Sequence, residues 1–200
     1  MLLDAFSPDR LLDKVREAYS EASDNPAGSH PFPLGFDFAL SLGYPEELLR
    51  RLPQSSVDRF TGVSNVSVFA EVPAGSTVLD LGCGAGTDSL IAAGKTGPGG
   101  RVFGVDFSPS MLAHARAGAA EAGASNLEFR EAEGQQLPFA DGTFDIALVN
   151  GVFNLNPNRR ELFQELVRVM RPGGALYGAE IILGEPLDDE ERTGLASWFS

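Results

Sequence analysis

The stretch VLDLGCGAGTDS, Val78 to Ser89, sets glycines at positions 82, 84 and 86 behind an apolar run that reads as a buried strand. Missing side chains at a strand end let a ligand approach the backbone closely, although tight turns also collect glycines. Two carboxylates further along suit such a ligand. Asp106 closes the next apolar run, RVFGVD, about twenty residues beyond the glycines, where an acid accepts two hydrogen bonds from a ribose diol. The same residue equally suits the start of the helix that follows it. Glu133, after NLEFREA, can accept from the exocyclic amino group of adenine while the amide of Gly134 faces a ring nitrogen; Glu131 stands close enough to compete for that role. The G-x-G-x-x-G pattern of dinucleotide sites is broken, because Thr87 occupies its third glycine position and Gly86 falls one residue early. No P-loop lysine accompanies the glycines. The spacing therefore favours a flat ligand without phosphates, lying across the strand end.

Groups so placed need strands that end together. From Ala74 onward TVLDL, RVFGVD, NLEFRE, FDIALVN and ALYGAEIIL form five candidate strands, mostly apolar, as parallel strands covered on both faces are. Helical patterns lie between them near Asp88 to Ala93, from Pro109 to Ala122 and from Arg159 to Met170. Ser108 reads as an N-cap before a first-turn proline, and RPGG as the stop of the last helix. The alternation predicts an α/β fold with a doubly wound sheet. Residues 1–73 carry no strand pattern. They read as a helix from about Pro8 to Ser23, a loop SDNPAGSHPFPLG, and helical pieces over Glu46 to Leu52 and Ser64 to Ala70. Their aromatics, Tyr19, Phe32, Phe36, Phe38, Tyr44 and Phe60, are too many for a solvated tail. An N-terminal helical cap over residues 1–73, above a ligand-binding core over residues 74–200, is the expected organisation. Helices that merely cover one face of the sheet would use the same aromatics.

Composition excludes several classes. The 200 residues are 43% hydrophobic, enough for a real core, and 28 acidic against 15 basic residues give a formal charge of -13. A polyanion would be repelled over most of such a surface, so nucleic acid is not an expected partner. One cysteine, Cys83, leaves no internal disulfide, and MLLDAFSPDR carries acids where a signal peptide needs basic residues. No apolar run reaches membrane-spanning length. A cytoplasmic protein without a bound metal is expected.

Together these motifs resemble the class I S-adenosylmethionine-dependent methyltransferases. VLDLGCGAG, GVDFSPSMLAHAR, LPFADGTFDIALVNGVF and LVRVMRPGG stand in that family's order and spacing, over Thr77 to Gly174. The resemblance implies a Rossmann-like methyltransferase sheet, S-adenosylmethionine as cofactor and S-adenosylhomocysteine as product. It places Gly82, Cys83 and Gly84 along the methionine moiety, Asp106 on the ribose, Phe107 and Met111 about the adenine, and Glu133 with Gly134 at its edge. Asp88 and Asn150 join this set. In this reading Cys83 is a small cofactor-side residue and not a nucleophile, and Asp80 orders the glycine loop through backbone amides. Tyr19, Phe32, Phe36 and the turn from Gly62 to Asn65, with Ser64, would line a pocket for a small-molecule acceptor. Asn150 and Asn154 are placed either to bind that acceptor or to cap a turn.

Within that class the chain looks most like the arsenite methyltransferases. VREAYSEAS, GVSN at Gly62 to Asn65, DLGCGAGTDS and NGVFNLNPNRRELFQELVRVMRPGG follow their pattern. That family holds trivalent arsenic on cysteine thiolates, and the two positions that should carry them here are Val63 and Gly151. A soft metalloid needs soft ligands, so arsenite is not the expected substrate. Quinone- or polyketide-type carbon methylation, an arsenite methyltransferase-like metalloid enzyme and a cofactor-binding protein without turnover stand as alternatives. Methyl transfer is an in-line displacement in which positioning supplies most of the acceleration. A base is needed only for a protonated oxygen or nitrogen acceptor, and His30, His114 and Tyr19 are the candidates. The resemblance also implies a closing hairpin after the fifth strand, whereas LDDEERTGLASWFS reads as a helix. Two expectations follow: either the sequence is cut short there, or the sheet stays at five strands with an exposed edge that another chain covers.

Overall fold

The computed structural model describes residues 8–182. Strands β1 (Thr77–Leu81), β2 (Arg101–Asp106), β3 (Leu127–Glu131), β4 (Phe144–Asn150) and β5 (Met170–Ala179) form one sheet in the order β3-β2-β1-β4-β5, with every neighbouring pair parallel. The chain enters the sheet at its middle strand β1, winds outward to β3 and returns to the other side of β1. That reversal leaves a crevice outside the carboxyl ends of β1 and β4, the place where open α/β sheets bind ligands.

Burial follows position in the sheet. Central β1 and β4 are almost wholly buried, and their near-continuous apolar runs reflect cover on both faces. Leu79 and Leu81 point to one face, with Phe103, Val105, Leu162 and Leu166. Val78 points to the other, with Val102, Ile146, Ala92 and Ala93. Helices α6 (Thr87–Thr96), α7 (Pro109–Glu121) and α8 (Arg159–Val169) make the crossovers. Ser108 caps α7 by accepting from the Met111 amide at 3.3 Å, ahead of Pro109, as its sequence predicts.

The fifth strand corrects the sequence reading. Instead of beginning at Ala175 after a stop, β5 begins at Met170, where α8 ends, and runs through RPGG to Ala179. An irregularity between Phe144 and Ile146 absorbs the shift in register with β4. Of ALYGAEIIL, Leu183 lies outside the described residues, as does the helix expected over LDDEERTGLASWFS.

Five helices precede the sheet: α1 (Pro8–Asp24), α2 (Phe36–Ser41), α3 (Glu46–Leu49), α4 (Gln54–Val57) and α5 (Val66–Phe69). The last three are single turns, α3 and α5 shorter than the pieces expected, and α2 and α4 have no clear periodic signal in the sequence. They are held by a small core of their own, Ala39, Tyr44, Leu49, Val57 and Phe60 packed on Ile91 of α6. Helices this short owe their existence to such packing rather than to propensity. α1 and α4 rest on α7, and α5 on α6.

Candidate active site

A cavity opens at the carboxyl ends of the central strands, lined by Gly82, Gly84, Asp106, Glu133 and Gly134 from the core and by Val15 and Tyr19 from α1. Its floor is the glycine loop. Gly82 has φ +73°, and a Cβ there would meet Val152 Cγ2 at 2.4 Å. Gly86, at φ +86°, precedes α6 where a Cβ would press on the Phe129 ring at 3.0 Å. The left-handed backbone and the close packing both require glycine at these two positions. Cys83 between them is buried, and burial raises its thiol pKa well above the ordinary value, which leaves it unsuited to nucleophilic work.

Asp106 takes the helix-start role that its position allowed and also lines the cavity. Its carboxylate accepts from the Gly84 amide at 2.8 Å and from the Ser108 amide at 2.9 Å, fixing the loop and the entry to α7, while the residue also lines the cavity. Burial pushes its pKa up, and these amides oppose the shift. Asp80 departs from expectation. It accepts from the Ser89 hydroxyl at 2.5 Å, so it anchors the first turn of α6, and the ordering of the glycine loop falls to Asp106. The reason is direction: Asp80 lies on the face of β1 that carries α6, away from the loop amides. Burial, and then the charge of Asp88, push its pKa up to about 8.

Asp88, Tyr44 and Asn150 form a buried network that the sequence does not announce. The Tyr44 hydroxyl donates to Asp88 at 2.6 Å, the Ser67 hydroxyl donates to the same carboxylate, and the Asn150 amide donates to it at 2.9 Å. Asn150 Oδ1 in turn accepts from the amides of Val63 and Ser64 at 2.9 and 3.1 Å. Both ends of Asn150 are thus engaged in holding the turn at Gly62 to Asn65. Burial raises the pKa of Asp88, and the three donors oppose it. Val63 Cγ1 lies 3.0 Å from where a Cβ on Gly151 would stand. Val63 and Gly151, the two positions where the resemblance leads one to look for thiolates, therefore lie side by side.

The remaining expected residues divide. Tyr19 lines the cavity and stacks on Phe32 at 4.7 Å, and burial, then the charges of Asp106 and Glu180, raise its phenol pKa. Phe107 lines the cavity, whereas Met111 is buried in the core beneath it. Phe32 and Phe36 stand back from the cavity, Phe36 in the cap core with Arg50 5.1 Å above its ring. Ser64 and Asn65 also stand back; the Asn65 amide donates to Gly43 O at 3.0 Å. Asn154 turns to the end of β5, donating to Ile181 O. His30 is half-buried at the loop, 2.8 Å from Asn25 O, and His114 is on α7, its pKa lowered by burial and by Arg59. Neither histidine lines the cavity.

Two arginines escaped the sequence reading. Arg16 of α1 forms an ion pair with Glu133 across the cavity mouth, its guanidinium 6.0 Å from the Phe107 ring centroid. Arg59, between α4 and the GVSN turn, lines the cavity itself. Glu180, past β5, accepts from the Phe153 amide at 2.5 Å and fixes the segment after β4. No local motif marks these residues.

Comparison with known proteins points the same way. A family model described as "Methyltransferase domain" matches residues 73–195. An arsenite methyltransferase of Halobacterium salinarum is 38% identical over 149 residues, 74% of this chain and 38% of that protein. A demethylmenaquinone methyltransferase of Lactococcus lactis is 36% identical over 106 residues, 53% of this chain and 42% of that protein. Among solved structures, an arsenic (III) S-adenosylmethionine methyltransferase from Chlamydomonas reinhardtii superposes with a TM-score of 0.62 at 30% identity, covering 78% of this chain and 52% of that one. The chain spans less than half the length of these curated relatives.

Proposed function

Because the chain belongs to the methyltransferase domain family, we propose that it binds S-adenosylmethionine in the cavity above β1 and β2 and transfers its methyl group to a small molecule. The observation that carries this reading is the convergence on one cavity of the Gly82 and Gly84 backbone, the Asp106 carboxylate, Glu133 and the Gly134 amide. These residues fit a nucleoside with an amino-acid tail. The glycine loop presents backbone without side chains at Gly82 and Gly84, Asp106 is a buried carboxylate at the end of β2, and Glu133 lines the same cavity next to Gly134, a set that suits a ribose and a base edge. The cofactor, once bound, supplies an electrophilic methyl carbon on a sulfonium.

The protein's part is positioning. Asp106 fixes the glycine loop and would hold the ribose, Glu133, now paired with Arg16, would meet the base, and Val15 and Tyr19 of α1 line the same cavity. An apolar, water-poor wall on that side favours dispersal of positive charge as the methyl group moves. Tyr19 is the one tyrosine among the described residues that lines the cavity, and with its pKa raised by burial it stays protonated at neutral pH, so it would orient an acceptor by donating a hydrogen bond rather than serve as a base.

Arsenite is the weaker acceptor reading despite the relatives' names. Val63 and Gly151 meet in apolar contact, and Cys83 sits in the cofactor loop, which leaves no set of thiolates at the acceptor position within this chain. The relation to demethylmenaquinone methyltransferases supports a carbon acceptor of apolar character as the second reading. Incubating the protein with labelled cofactor and a panel of small thiols, phenols, quinols and glutathione-bound arsenite, and measuring S-adenosylhomocysteine, tests all of these. Turnover of a phenol or quinol without arsenite turnover is the expected result. Cofactor binding with no turnover across the panel would favour a non-catalytic role, and arsenite turnover would overturn the acceptor argument.

A further inference from the structure

Strands β3 and β4 are separated in the sheet by β2 and β1, yet the turns beyond their carboxyl ends meet. The first turn runs from Glu133 to Gln136, closed by the Gln136 amide on Glu133 O at 3.0 Å, and the second from Phe153 to Asn156, closed by the Asn156 amide on Phe153 O at 3.3 Å. Gln135 Nε2 donates to Asn156 Oδ1 at 3.3 Å and clasps the two together. Behind the first turn, α8 comes so close that a Cβ on Gly134 would stand 2.9 Å from Leu162 Cδ1. The turn that carries Glu133 and Gly134 is therefore held from two sides, with Asn156 next to it in the wall of the cavity.

Asn156 is only 8% exposed, and its neighbours decide which way its side chain faces. Its Oδ1 accepts a second hydrogen bond from the Asn158 amide at 2.8 Å. Reversing both side-chain amides would give Gln135 Oε1 a partner, but it would set the Asn156 amino group against the Asn158 N–H, donor against donor. The oxygen is thus committed to the turns. The amino group, Nδ2, has no acceptor among the described residues, and the residue that carries it lines the cavity. Gln135 Oε1 is left buried without a partner. A clasp selected for stability alone would leave no buried acceptor unpaired, because each one costs free energy.

We infer that Asn156 is a third base-reading residue, whose Nδ2 donates to a ring nitrogen of adenine other than the one that faces the Gly134 amide. The inference rests on the cofactor reading above and adds a side-chain donor to the acceptor of Glu133 and the backbone donor of Gly134. Adenine suits such a set, since it offers one exocyclic donor and ring nitrogens that accept on more than one side. The competing role for Asn156 is to shape its turn through Asn158 and nothing more.

Calorimetry with analogues that differ by one ring atom separates the two. S-adenosylhomocysteine and its 3-deaza and 7-deaza analogues, each with one ring nitrogen replaced by C–H, are titrated into wild type, Asn156→Asp and Asn156→Ser. Wild type is expected to bind one of the two analogues about three- to tenfold more weakly than S-adenosylhomocysteine. Asn156→Asp keeps an oxygen for Asn158 and Gln135 but turns an acceptor towards the base, so that preference should vanish or invert. Asn156→Ser keeps a turn oxygen without the amino group. It should lose the preference as well, and it carries the comparison if the aspartate variant fails to fold. A residue that only shapes the turn would weaken all three ligands alike. Equal ligand ratios in wild type and variants, or a wild type that binds both analogues as tightly as S-adenosylhomocysteine, overturn the inference while the cofactor reading survives. A wild type that binds none of the three overturns both.

Discussion

Three aspartates near the carboxyl ends of β1 and β2 show how one residue type takes different tasks. Asp106 keeps amide donors and faces the cavity, Asp88 is enclosed by hydroxyl and amide groups, and Asp80 has Ser89 as its main partner. The last is the most exposed to electrostatic cost, with its pKa raised to about 8 by burial and by Asp88. An unfolded aspartate ionises near about 3.9. The folded state therefore holds an extra proton between these values, so the stability that Asp80 contributes is fully present below about pH 4 and is lost as pH rises through about 8. Asp80→Asn keeps an acceptor for Ser89 without the charge, and it is expected to gain stability relative to wild type between about pH 5 and pH 8. Urea unfolding at both pH values checks this; equal losses in the two proteins would contradict it. Sequence spacing located all three acids yet misassigned Asp80, because spacing along a strand does not say which neighbour a side chain meets. Arg16 lay further out of reach, since its partner Glu133 is 117 positions away in the chain.

At the scale of elements, the glycine loop and the helix that covers it carry the argument. The loop was legible because left-handed turns leave a mark in residue type, and Ser108-Pro109 marked the start of α7 for the same local reason. The join of α8 to β5 and the single-turn helices of the cap were not legible, because register and packing across the sheet decide them. Gly82→Ala brings two costs, a left-handed alanine and a clash with Val152 Cγ2. Roughly 1 to 2 kcal/mol belongs to the backbone and about 1 to 3 kcal/mol to overpacking. Removing the clash with Val152→Ala in the same chain should recover the second part and leave the first, a coupling that urea titration of the two single variants and the double variant measures. Additive losses would mean that Val152 yields freely. Helix α1 is held over the cavity by Arg16 and Glu133 at its mouth. Hydrogen exchange should show protection rising over residues 12–24 when S-adenosylhomocysteine binds, and no change there would make α1 a fixed cover.

For the molecule as a whole, the doubly wound order brings residues from both halves of the chain to one crevice, and this much follows from the alternation of strand and helix patterns alone. What the outer edge does is a separate matter. β5 pairs with β4 alone among the described strands, and Val167 is 76% and Ile182 86% exposed beside it. No helix among the described residues is long and apolar enough to cross a membrane. A strand at the edge of the described sheet with exposed apolar side chains beside it favours association, while a net charge of -13 opposes it at low salt. Self-association in sedimentation velocity should therefore increase with ionic strength and weaken in Val167→Lys; salt-independent monomers would show that this edge is inert. The claim on which everything else depends is that Asp106 and the glycine loop hold the cofactor. Calorimetric titration of S-adenosylhomocysteine into wild type and Asp106→Ala tests it most directly. Micromolar binding by wild type, weakened in the variant by roughly 1.5 to 3 kcal/mol, about ten- to a hundred-fold, is the result this account predicts, whereas undetectable binding by wild type, or equal affinity in the two proteins, would contradict it.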